Sequence, residues 1–112
     1  MISCVRVKDG VEFTKIAPAG FHILAAIDSA AAFIAHDLTI TSACDGEHSG
    51  PDDPHKRGEA FDVRSHDLPD KQLALQAIMN SLGTLKFYGF IEDETEANEH
   101  LHVQLRHGII YP

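Results

Sequence analysis

The run Glu99-His100-Leu101-His102-Val103-Gln104-Leu105-Arg106 alternates apolar and polar side chains through its middle. Successive side chains on a strand point to opposite faces, so Leu101, Val103 and Leu105 turn toward a core. His100, His102 and Gln104 then share the other surface. A second stretch, His55-Lys56-Arg57-Gly58-Glu59-Ala60-Phe61-Asp62, ends in a short strand expected over residues 59–64. There Phe61 and Val63 take one face, and Ala60, Asp62 and Arg64 the other. If the two strands are sheet neighbours, Asp62 joins the histidine pair, and His55 approaches from the loop leading into its strand. Two imidazoles and a carboxylate are the ligand types of a catalytic zinc ion that keeps one position open for water. Glu99, beside the pair, is a candidate general base.

The chain has 112 residues, 44% hydrophobic and 23% charged, which fits one domain, residues 1–112, with a single modest core. Its net charge of −8, with only nine scattered Lys and Arg, argues against a nucleic-acid surface. No apolar run is long enough to span a bilayer, so no membrane partner is expected. The first residues lack the basic and long apolar regions of a signal peptide. The expectation is a chain that stays in the cytoplasm until released, or leaves by a route its sequence does not encode. It is expected to be a monomer. Cys4 and Cys44 read as buried free thiols rather than a disulfide.

Along the chain, residues 1–16 suggest a hairpin turning at Asp9-Gly10. Residues 21–35 form an alanine-rich helix with Leu24, Ile27, Ala31 and Ile34 at helical spacing. Leu38 to Ser42 is a β-branched strand. Residues 43–58 make a long loop of turn-formers that carries Asp45, Glu47, His48, Asp52, Asp53 and His55, an unusual load for a connector. A second helix is expected to start at Asp67 as N-cap, with Pro69 in its first turn, and to stop at Gly83. Residues 86–91 form a strand and 92–98 an acidic loop.

Taken together, His55-x-x-Gly58-x-Ala60-x-Asp62 and Glu99-x-x-His102 resemble the signature of D-alanyl-D-alanine carboxypeptidases and related phage endolysin peptidases. The resemblance covers residues 39–104 and implies the hedgehog/DD-peptidase fold: α+β, two helices on one side of a small antiparallel sheet. It implies that His55, Asp62 and His102 bind Zn²⁺, that Glu99 is the general base, and that His100 supports the transition state. The substrate it implies is a peptidoglycan stem peptide, cut by carboxypeptidase or endopeptidase action. It also implies an alternative on the same fold, a zinc-binding structural or binding module without catalysis.

Three positions depart from the family pattern. Asp53 stands where a Ser is usual, Ala43-Cys44-Asp45 follows the Thr-Ser strand where an Arg is common, and His100-Leu101 replaces aromatic residues. Arg64 or Arg57 is then the candidate to hold the substrate carboxylate, and His48 to line the cleft. Glu99 and His102 are three residues apart, so an ideal strand points them to opposite faces. Glu99 must therefore sit at the strand's start or in a bulge. Glu92, Glu94 and Glu96 are the nearby alternatives.

Overall fold

The computed structural model describes residues 3–45 and 52–111. In chain order these form β1 (Val5–Val7), α1 (Pro18–Ile34), β2 (Leu38–Ser42), β3 (Ala60–Arg64), α2 (Lys71–Leu82), β4 (Phe87–Glu92) and β5 (His100–Leu105). The five strands make one sheet in the order β1-β2-β3-β5-β4. The architecture is α+β with two helices, as expected, but the sheet is mixed and not wholly antiparallel. β1 runs parallel to β2, with Val5 opposite Leu38 and Val7 opposite Ile40. The other pairings are antiparallel.

The expected N-terminal hairpin is absent for the same reason. A parallel neighbour requires a crossover of a dozen or more residues, and α1 supplies it. Residues 11–17 instead cross the end of the sheet. Cys44 donates its backbone N–H to Glu12 and Ala17 donates to Gly58.

Binary patterning explains which face of the sheet is covered. Phe61, Val63, Leu101 and Val103 are fully buried against Ile23, Ile27, Ala74 and Ile78 of the two helices. Each large apolar side chain removed from water there contributes about 2 kcal/mol. Helix α1 starts with Pro18, whose fixed φ suits a first turn, and ends at Ala35 in the left-handed region at φ 56°. Helix α2 begins later than the sequence suggests. Its N-cap is Asp70, whose side chain accepts from the Leu73 N–H, so Asp67 and Pro69 lie before the helix.

Gly58 ties the site loop to α1. It adopts φ +72°, and a side chain there would collide with the Lys15 carbonyl. Gly20 of α1 faces the Gly58 carbonyl, where a Cβ would collide as well. The turn after His55 is thus clamped against the N-terminus of α1, and this fixes where His55 meets the sheet.

Candidate metal centre

The helix-free face of the sheet gathers the polar side chains. Asp62 on β3 lies directly across from His102 on β5, and Arg64 across from His100. On the other side of β5, Phe90 lies across from His102 and Glu92 across from His100. Register alone therefore places Asp62, His102, His100 and Glu92 together.

Asp62 is the hub. Its Oδ1 lies 2.9 Å from His102 Nδ1 and 3.3 Å from His55 Nε2, and its Oδ2 lies 3.5 Å from His100 Nε2. Glu92 Oε1 is 2.8 Å from His100 Nε2 and 3.9 Å from His102 Nδ1. Ligand atoms of Asp62, Glu92, His100 and His102 all fall within 4.8 Å of one another, so this cluster can hold a metal ion. His55 reaches the same Asp62 oxygen from the opposite flank, its ring centroid 5.2 Å from that of His102.

The outward ring nitrogens are occupied. His55 Nδ1 is 2.8 Å from the Ala43 carbonyl, His102 Nε2 2.8 Å from Gln104 Oε1, and His100 Nδ1 2.8 Å from the Asn98 carbonyl. All three partners are acceptors, so each of these nitrogens carries a hydrogen. The inward nitrogens all face carboxylate oxygens. Such a centre is neutralised either by protons on the rings or by a cation among them. Fixing one ring nitrogen on an outer acceptor while the other faces the ion is the usual arrangement of a metal-binding histidine. Imidazoles and carboxylates are donor types that can hold a metal ion.

The same contacts set the electrostatics of the ion-free centre. Burial opposes the charge on Asp62, yet hydrogen bonds from His102 and His55 and the nearby charges of His55 and His100 hold its carboxyl well below the usual range. Burial also disfavours charge on His100, but the Asn98 carbonyl, Asp62 and Glu92 raise its pKa overall. His102 is raised against burial by Asp62, Gln104 and Glu92.

Not every sequence-expected residue comes to this centre. The structure brings together His55, Asp62, His100 and His102, with Arg64 half-buried beside them. Glu99 is buried but stands apart. It has the parity of Leu101, toward the helices, and its oxygens accept from Ser65 Oγ at 2.6 Å, Lys71 Nζ at 2.7 Å and Thr95 N at 2.8 Å. Lys71 first, then Ser65 and Thr95, hold its pKa down to about 2. The carboxylate beside the histidines is Glu92, named from the sequence only as an alternative. His102 lies on the expected face but is covered, not open to a cleft; Phe90 packs 5.3 Å from its ring.

Arg57 pairs with Glu59 at 2.7 Å, and His48 lies outside the described residues. Cys4 is exposed and Cys44 buried, both free. Sequence reasoning gave no role to Gln104, which orients His102. Its place two residues on, on the same face, was the available signal.

Among known proteins, no family model, no curated protein and no solved structure matches this chain. No helix among the described residues is long and apolar enough to cross a membrane.

Proposed function

We propose that the chain is a zinc-dependent peptidase acting on peptidoglycan stem peptides. The observation that carries the reading is the convergence of three imidazole nitrogens on the Asp62 carboxylate, each ring fixed from behind by an acceptor. The substrate class rests on the motif resemblance. His55, Asp62 and His102 would hold the ion, and Asp62 and His102 also belong to the tighter cluster with Glu92 and His100. A zinc ion there supplies a Lewis acid that polarises a carbonyl and lowers the pKa of bound water to about 7.

The proton chemistry falls to the remaining pair. Glu92 is within hydrogen-bond reach of His100 and half-exposed, so it can accept a proton and return it to a leaving amine. In this reading His100, whose Nε2 faces the cluster, is the group that meets a developing oxyanion. Glu99 is a poor base, because a salt bridge and two hydrogen bonds already spend its charge.

A second reading, a zinc-binding module without catalysis, is favoured by that capture of Glu99. The test compares zinc-loaded wild type, Glu92→Gln and Glu99→Gln for release of D-alanine or a new amino terminus from isolated peptidoglycan. Glu92→Gln is expected to lose ~10²–10⁴-fold in rate, with Glu99→Gln close to wild type. The reverse ranking would return the base to Glu99. No release by zinc-loaded wild type would favour the binding module.

A further inference from the structure

Helix α1 carries one aspartate, Asp28, and no glutamate, lysine or arginine in its 17 residues. A helix so apolar is ordinarily covered on every side. Here one side is covered, where Ile23, Ile27, Ala30 and Ala31 pack into the core. On the side turned away from the sheet, Phe21 is 63% exposed and Phe33 76%. Ordinary solvated helix surface carries charged side chains there.

The two rings are spaced for self-pairing. Phe21, Ala25, Ser29 and Phe33 recur every four residues, forming one of the ridges by which helices pack, and all four are exposed. Let two copies of α1 cross about a two-fold axis at the level of Ile27. The two ridges then run antiparallel, with Phe21 meeting Phe33 of the second copy at each end and Ala25 meeting Ser29 between. Short side chains in the middle let the helices approach, and the rings close the ends. Beside Phe33 lies a cavity of about 300 Å³, lined also by Ser29, Ala30, Ala77 and Ser81. In this pairing the second copy's Phe21 stands over it. Asp28 falls on the other flank of the ridge, away from the cavity.

Charge and area both bear on the occupant. A strongly charged partner finds no complement along α1, and an anionic lipid surface finds no lysine or arginine. A second copy brings the same neutral ridge. At these exposures the two rings offer roughly 280 Å² per copy, taking ~200 Å² for a whole side chain. A standard interface takes about 800 Å² per copy, so the rings supply about a third and the helix between them most of the rest. Such a contact is weak and reversible.

We propose that the outer face of α1 is a homodimer interface, closed by Phe21 of each copy against Phe33 of the other. The proposal goes beyond the hydrolase reading and does not depend on it. The metal centre lies on the helix-free face of the sheet, so both centres of the pair point outward.

Sedimentation equilibrium of the whole chain, from about 1 μM to about 1 mM, reads the association directly. Wild type is expected to shift from monomer to dimer mass across that range. Phe21→Glu and Phe33→Lys should each weaken association at least about 10-fold, with circular dichroism unchanged because both rings are exposed. Ala25→Glu, in the middle of the ridge, should do the same. An equimolar mixture of Phe21→Glu and Phe33→Lys should recover dimer. One end of the mixed pair sets Glu against Lys and the other keeps both phenylalanines. A wild type that stays monomeric at every concentration would overturn the interface. So would dimers unaffected by all three folded variants, or a mixture no better than its components. A monomeric chain that binds phosphatidylcholine vesicles through Phe21 and Phe33 would assign the face to lipid and overturn it as well.

Discussion

Glu99 and Asp62 are both buried carboxylates close to His100, yet their surroundings differ in kind. Glu99 looks toward the helices and meets a lysine, a hydroxyl and a backbone N–H. Each of those partners keeps its hydrogen across the neutral pH range, so the charge is matched there without a metal. Asp62 looks away from the helices and meets only imidazoles. Those rings match its charge when protonated and present lone pairs when not. Glu99 therefore belongs to the framework, joining α2 to the start of β5, while Asp62 is poised for a cation. A motif that sets a glutamate three residues before a histidine does not distinguish these conditions; the surrounding donors do.

The largest expected effect would break both regions together. Val103 is fully buried on the helix-covered face of β5, the strand that carries His100 and His102. Val103→Asp puts an unpaired charge in the core, at a cost of about 4 kcal/mol or more. Circular dichroism and a denaturant titration should find this variant unfolded. A stable, folded Val103→Asp would mean that β5 faces the other way.

A gentler pair of substitutions sharpens the contrast. Gln104→Ala removes the acceptor behind His102 and should weaken zinc affinity about 10–100-fold with the fold intact. Ser65→Ala removes a donor from Glu99 and should lower stability by about 1–2 kcal/mol, leaving zinc affinity unchanged. Competition with a zinc chelator and thermal melts read the two effects separately. Crossed results, with Ser65→Ala losing zinc affinity, would merge what the structure separates.

The smallest effect is in the pH dependence of the metal-free protein. The folded pKa values of His100 and His102 are raised, so the stability they contribute is fully present below the unfolded value of about 6.5. It is lost as pH rises through their folded values. Glu99 has the opposite sign: its contribution is present above about 4.5 and lost as pH falls toward about 2. Zinc binding needs unprotonated rings, so the ion should stabilise the protein most on the alkaline side, where the proton-held cluster is weakest. Melting curves across pH, with and without zinc, should diverge as pH rises. Curves that stay parallel would mean that protons and metal do not compete at these rings.

How far the sequence could be read depended on how local each signal was. The alternation in Leu101, Val103 and Leu105 gave the buried face of β5 directly, and Leu38–Ser42 was a strand with the expected bounds. The turn at Gly58 was legible because few other residues tolerate its backbone. The partner of β1 was not, since a local turn at Asp9-Gly10 competes with a pairing more than thirty residues away. Glu99 raised a parity conflict from the start. The structure resolves it by turning the side chain toward Lys71, whose position on α2 no local pattern reveals. Glu92 reaches the centre only through cross-strand register with His100, which a single strand's pattern cannot supply.

The central claim is that Asp62 organises a metal centre, and calorimetric titration of zinc into chelator-stripped protein at neutral pH tests it most directly. The expected result is about one ion per chain for wild type. Asp62→Ala should remain folded and show no comparable binding, while Glu99→Gln binds like wild type. Full zinc binding by Asp62→Ala, or none by the folded wild type, would contradict the account.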